Sequence, residues 1–355
     1  MTQTPKNIVP NSFSINHFDN LNENTKQPWL SIIIPAYNVE RYIRSCIASI
    51  DPAKHQDIEI IIVDDGSTDS TLMICNQIAI SYNNVSVIHK ENGGSSSARN
   101  TGFKKVTGVW SWFIDADDLI APGALNILKK IVSKSNSDAL QINFVLFSDT
   151  KKPIWPSLST FKEPNTISSE EFLRKIYNGK FKHFIWSFLL RTESLKQSGK
   201  NTSVLVEKRC SGFPFREDFS LYEDVVSIEK IMRCFKSIDV TDLPVYGYRQ
   251  LTNSISQHQN SLTANSGLRA VREIAHNRTP STDMLAKTCM EISLLFSAYK
   301  LVEDNNRSLR QAIKHEIESR VKHVGLLKLG APRLFRYLLL KTKILDVIIW
   351  LRERA

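Results

Sequence analysis

Apolar runs and polar breaks alternate regularly over the first third of the chain. Leu30-Ser31-Ile32-Ile33-Ile34 is a continuous apolar run that stops at Pro35-Ala36-Tyr37-Asn38. Continuous β-branched runs suit strands buried on both faces of a sheet. From Glu40 to Ile50, Tyr42, Ile43, Cys46, Ile47 and Ile50 fall at helical spacing. A second strand is predicted over 58–63, a helix over 68–81, a third strand over 85–88 and a fourth over 109–114. Between the last two, Gly93-Gly94-Ser95-Ser96-Ser97 leads into a helix ending near Phe103. Strands alternating with helices of this length imply βαβ units with right-handed crossovers. The expected fold class is therefore α/β, a mostly parallel sheet flanked by helices.

Beyond residue 150 the pattern is less regular. Pro153, Pro156 and Pro164 suggest an extended crossing over 151–166. Ser168 followed by Glu171 forms a capping box, which predicts a helix from Ser168 to Tyr177. The stretch His183–Leu190 is aromatic and apolar. A helix is expected over 224–235 and a strand over 245–249. From about Ser266 onward the pattern is helical, over 268–276, 284–302, 308–324 and 332–354.

Composition narrows the class. The 355 residues are 42% hydrophobic and 23% charged, which is globular and excludes wholesale disorder. The five cysteines are scattered with no CxxC pair. That supports neither a disulfide framework nor a cysteine zinc site. Residues 1–28 read as a polar, flexible tail without the pattern of a signal peptide, and no segment has the length of a membrane span.

In parallel sheets ligands bind beyond the carboxyl ends of the strands. Three successive strands end there in polar clusters: Pro35–Asn38, Asp64–Ser67 and Asp115–Asp118. Alternate strand residues point the same way, so Asp115 and Asp117 can converge on one cation. Oxygen ligands favour Mg2+ or Mn2+. Alone, such a tripeptide is equally a solvated turn or helix cap; its place after an apolar strand is what singles it out. Asp64-Asp65 precedes a helix start and exceeds what capping needs. It can accept hydrogen bonds from a nucleobase or a ribose. Gly93–Asn100 combines a loop, a helix start and Arg99, a combination that suits a diphosphate, although it is neither a dinucleotide fingerprint nor a P-loop. Glu223-Asp224 opens another helix. It serves either as an N-terminal carboxylate pair or as a general base.

Taken in order, IIIPAYN-E, IIVDDGSTD, NGGSSSARN-G, FIDADD and then LYEDV and PVYGYR resemble the inverting family-2 glycosyltransferases of GT-A fold, over roughly 220 residues. The resemblance implies a GT-A domain over 29–260 and a helical region over 261–355. Pro35, Ala36, Tyr37 and Glu40 would line the nucleotide pocket. Asp65, with Asp64, would hold the base. Arg99 and Asn100 would close over the nucleotide. In Asp115-Ala116-Asp117, Asp115 and Ala116 would lie by the donor sugar-nucleotide. Asp117, together with Asp115, would take Mn2+ or Mg2+. Asp224 would be the base and Glu223 its neighbour. Arg249 and Ser254-Ile255-Ser256 would approach the diphosphate or the acceptor. The expected reaction moves a sugar from a nucleotide-diphosphate sugar, a UDP-sugar, to a glycan or lipid-linked acceptor in cell-surface polysaccharide synthesis. The competing readings are a non-catalytic subunit with this fold and a sugar nucleotidyltransferase. The latter would want a basic, glycine-rich loop where Pro35–Asn38 stands.

Charge adds one expectation. The chain has 46 Lys+Arg and 36 Asp+Glu; 11 and 4 of these fall between Arg310 and Ala355. The excess thus belongs to the C-terminal helices, where a basic amphipathic segment with Trp350 suits a bilayer surface. The expectation is a cytoplasmic protein resting peripherally on the inner face of the cytoplasmic membrane, with no nucleic acid as partner.

Overall fold

The computed structural model describes residues 27–158, 162–200, 214–251, 260–277, 281–342 and 345–346. The tail over 1–26, Cys210, Ser254-Ile255-Ser256 and the part of the expected 332–354 helix beyond 346, with Trp350, lie outside them.

Among the described residues, nine strands form one sheet, in the order β3-β2-β1-β4-β8-β6-β9-β5, with β7 paired to β9. The first half is built as expected: β1 (Leu30–Ala36), β2 (Ile58–Asp65), β3 (Val85–Lys90) and β4 (Trp110–Phe113) are parallel, joined by α1 (Ile43–Ile50), α2 (Thr71–Ser81) and α3 (Ser95–Phe103). The period of two is plain in the packing. Ile33, Ile61, Val63 and Phe113 enter one buried cluster; Ile32, Ile34, Ile60, Ile62 and Trp112 enter the other. Gly102 lets α3 lie close on this sheet. A Cβ there would stand 2.5 Å from Ile33 Cγ2 and 3.1 Å from Val63 Cγ2.

The second half is mixed: it adds antiparallel strands to a sheet that stays mostly parallel, as expected. After β5 (Leu119–Ile120) and α4 (Ala124–Val132), β6 (Ala139–Ser148) runs parallel to β9 (Ser237–Gln250). β8 (Phe188–Arg191) runs antiparallel between β4 and β6. β5 and β7 (Asn165–Ser168) run antiparallel to β9. α5 (Ser169–Tyr177) starts as its capping box dictates, Ser168 Oγ accepting from the Glu171 N–H at 3.2 Å. α6 (Thr192–Lys200) and α7 (Glu223–Cys234) follow.

The C-terminal region is helical: α8 (Ser261–His276), α9 (Ser281–Lys300), α10 (Arg307–Val324) and α11 (Ala331–Lys341). One buried cluster runs from Ile33 and Phe113 through Phe172 and Ile228 to Leu295, Ile317 and Leu340. The helices therefore share their core with the sheet. Among the described residues, Cys46, Cys75, Cys234 and Cys289 are free thiols, and no helix is long and apolar enough to cross a membrane.

Candidate active site

The carboxyl ends of β1, β2 and β4 meet the start of α3 and, from the far end of the chain, the start of α7. The loops after β1 and β2 are laced together. Asn38 Oδ1 accepts from the Thr68 N–H at 2.8 Å, Glu40 Oε2 accepts from Ser70 N–H at 2.9 Å, and the Glu40 N–H donates to Asp69 Oδ2 at 3.2 Å. Thr68–Ser70 serve this lacing, so α2 begins at Thr71. Ala36 is buried, while Tyr37 is 48% exposed at the rim. Glu40 thus shapes the edge rather than pointing free into it.

The two carboxylates of the β2 end are used differently. Asp65 accepts from Lys90 Nζ at 2.7 Å and from the Gly93 and Gly94 N–H groups at 3.0 and 2.7 Å. Both its oxygens are thereby spent on holding the glycine loop. Asp64 Oδ2 meets His89 Nδ1 at 2.7 Å, but the buried Asp64 Oδ1 has no partner among the described residues. Buried polar atoms are rarely left so.

Arg99, only 4% exposed, is the centre of the site. Its Nη2 donates to Asp115 Oδ1 at 3.2 Å and its Nη1 to Asp224 Oδ1 at 3.1 Å, with Glu223 Oε1 3.6 Å from Nη1. Burial opposes its charge, but Asp224, Asp115 and Glu223 outweigh that and hold it protonated. Its neighbour Asn100 is buried and faces elsewhere. Its amide donates to Phe215 O and Glu217 Oε1, each at 2.8 Å, and accepts from Phe215 N–H at 3.2 Å. Asn100 therefore pins the segment leading to α7.

Asp224 has both oxygens oriented, the second accepting from Ile185 N–H at 3.1 Å. The helix that carries it starts under strain: Tyr222 sits at φ 65°, uncommon for an aromatic residue. Its hydroxyl donates to Leu294 O at 2.9 Å in α9, which fixes that turn. Burial and then Asp224 push the Glu223 carboxyl up to about 7.

On β4's extension, Asp117 accepts no hydrogen bond on its carboxylate from the described residues, and burial followed by Asp115 raises it to about 6. Its carbonyl accepts from Arg249 Nε at 2.6 Å. Burial also raises Asp115 and Asp118. Asp118 is held by Tyr246 Oη and the Arg249 N–H, both at 2.7 Å, and Tyr246 Oη accepts from the Asp115 N–H at 3.1 Å. Sequence reasoning flagged Arg249, and Asp118 only as a member of the Asp115–Asp118 cluster; it gave Tyr246 and Ile185 no role, since nothing local to them marks one.

Five carboxylates (Asp115, Asp117, Asp118, Glu223, Asp224) face two guanidiniums here. The unpartnered Asp117 and the all-oxygen donor set fit a hard divalent cation. Among the described residues no three such side chains converge on one point, so substrate oxygens would complete its shell.

A family model described as "Glycosyl transferase family 2" matches residues 31–199. This stretch, a little under half of the chain, is similar to glycosyltransferase family 2. It is 30% identical over 231 residues to the uncharacterised glycosyltransferase EpsJ of Bacillus subtilis, covering 65% of this chain and 63% of that relative. It thus spans somewhat under two thirds of EpsJ's length. Among solved structures, S. aureus TarS 1–349 in complex with UDP-GlcNAc superposes with a TM-score of 0.56 at 20% identity, over 84% of this chain and 82% of that one. The mannosyltransferase PcManGT from Pyrobaculum calidifontis, in complex with GDP-Man and Mn2+, gives 0.51 at 15% identity, over 93% and 89%. At such identities these likenesses concern the fold. The family-2 match covers β1 to α6, and α7 with Asp224 lies beyond it.

Proposed function

We propose that this protein transfers a sugar from a nucleoside-diphosphate sugar, a UDP-sugar, to a hydroxyl of a glycan or lipid-linked acceptor, with inversion. One observation carries the reading: a single buried guanidinium binds Asp115 at the end of β4 and Asp224, 109 residues later, at the start of α7. Asp64, with its free Oδ1, takes the nucleobase, and Asp65 keeps the Gly93–Gly94 loop in place beside it. Tyr37 and Pro35 flank the base. The N-terminus of α3 faces the diphosphate. Asp117, with Asp115, would hold Mg2+ or Mn2+, which supplies positive charge against the leaving diphosphate.

Asp224 receives the proton of the acceptor hydroxyl. The acceptor oxygen forms its bond to the anomeric carbon as the bond to the diphosphate breaks, and the electron pair leaves with the phosphate. One displacement inverts the centre. A retaining route would need a nucleophile on the other face.

Thermal-shift titration with UDP-, GDP- and dTDP-sugars, each with and without Mn2+, tests this. One of them is expected to raise the melting temperature in a metal-dependent way and to release its nucleoside diphosphate on turnover. No stabilisation by any of them would refute the reading.

The proposal extends to location, peripheral on the inner face of the cytoplasmic membrane. Leu327 is 98% exposed, Phe335 62%, Leu338 50% and Leu326 47%, with Lys322 and Lys328 exposed among them. Arg333 is not part of this face; its guanidinium donates to Ser293 Oγ at 2.8 Å. Leu329, Leu340 and Leu345 are buried, so point changes are cleaner than truncation. The protein should sediment with phosphatidylglycerol vesicles at low salt and the Leu327→Asp/Phe335→Asp variant should not. A wild-type protein left in the supernatant would sink the membrane assignment.

A further inference from the structure

Beside the catalytic carboxylates stands a column of aromatic rings that the reaction, as described, does not use. Tyr246 and Trp186 lie parallel, 4.4 Å apart at 4°. Phe184 stacks on Trp186 at 4.9 Å and 16°, and Tyr248 lies 5.3 Å from Trp186 and 6.0 Å from Phe184. Phe144 props all three of Phe184, Trp186 and Tyr248 edge-on, at 80–87°. Burial falls along the column: Tyr246 is 0% exposed and Trp186 2%, whereas Phe184 and Tyr248 are only half-buried.

Both ends of the column are tied to the chemistry. Tyr246 donates to Asp118 and accepts from the Asp115 N–H. The peptide N–H between Phe184 and Trp186, that of Ile185, orients Asp224. The Tyr248 hydroxyl makes no hydrogen bond to the described residues. Burial first, and then the charges of Asp118, Asp115, Asp117 and Asp224, raise its pKa. The nucleobase side of the site lies across β1, at Asp64 and β3, away from this wall.

We infer that Phe184 and Tyr248 form the acceptor subsite, and that the acceptor presents a pyranose ring stacked on them with a ring hydroxyl toward Asp224. This rests on the transfer reading above. A flat ring with C–H groups on one face buries well against an aromatic face and loses little rotational freedom. An open-chain polyol has no such face and many rotors to freeze. The Tyr248 hydroxyl, without a partner among the described residues, takes one from the sugar.

The test is saturation-transfer NMR on the full chain with UDP present. Its probes are the methyl β-pyranosides of glucose, galactose and N-acetylglucosamine, set against ribitol and sorbitol. At least one pyranoside is expected to show transfer to its axial ring protons, and the alditols none at equal concentration. Phe184→Leu and Tyr248→Phe, checked for an unchanged melting temperature, should each weaken pyranoside binding about two- to tenfold. Equal transfer to the alditols, no transfer to any pyranoside, or folded variants that bind as wild type would each overturn the inference. If a nucleotide sugar is still bound and hydrolysed in those cases, the transfer reading survives. If none is bound, that reading fails first.

Discussion

Replacing Asp224 by Asn is expected to slow sugar transfer ~10²–10⁴-fold, the usual contribution of a positioned base, while changing nucleotide-sugar affinity little. The substitution keeps the shape of the side chain. Its oxygen can still accept from Ile185 N–H or Arg99, so α7 stays in place. What disappears is the ability to take a proton. Single-turnover rates, with calorimetry for the donor, separate the two effects. Wild-type turnover in Asp224→Asn would move the base to Glu223, whose carboxyl at about 7 is the nearest alternative.

Arg99→Met should be the most destabilising single change at the site. It leaves Asp115, Glu223 and Asp224 gathered without their shared cation. Removing one partner of a buried ion pair costs ~3–5 kcal/mol, against a total stability of ~5–15 kcal/mol. The loss should depend on pH. Asp115 and Glu223 already stand above the usual carboxylate range, and the guanidinium is what holds them down. Without it both rise further. A carboxyl raised in the folded state contributes stability at low pH and loses it as pH climbs through the folded value. The deficit of Arg99→Met is therefore largest above about pH 7 and shrinks toward pH 5. Denaturant titrations at pH 5 and pH 8 measure it; equal stability of variant and wild type at pH 8 would contradict the hub. Arg99→Lys should fall between, because a point charge cannot span three carboxylates as a planar fork does.

The parallel half of the fold was legible because each strand is an uninterrupted β-branched run with a polar stop. β6 went unread because its alternation is broken: its pairing with β9 shifts register between Gln141 and Asn143 and again at Phe144. β9 is longer than the expected 245–249 because Asp239, Asp242 and Pro244 interrupt its apolar pattern. Asp239 is tolerated since Ser135, Ser137 and Thr166 hydroxyls donate to it at 2.6–2.7 Å, and those partners lie 73–104 residues away. The site divides in the same way. Asp64, Asp65, Arg99, Asp115, Asp117 and Asp224 each end a strand or open a helix, so sequence places them. Tyr246, Asp118 and Ile185 matter through contacts across 39–131 positions, which no local pattern carries.

The bond from Tyr222 to Leu294 has a consequence for how the protein fails on heating. The turn that aims Asp224 is strained and is held from α9, not from the sheet. Loosening of α9 would release Tyr222 to an ordinary backbone angle and leave Asp224 held only by Arg99 and the Ile185 N–H, before the strands of the sheet come apart. Loss of activity and loss of the sheet would then be two separate transitions, the first at the lower temperature.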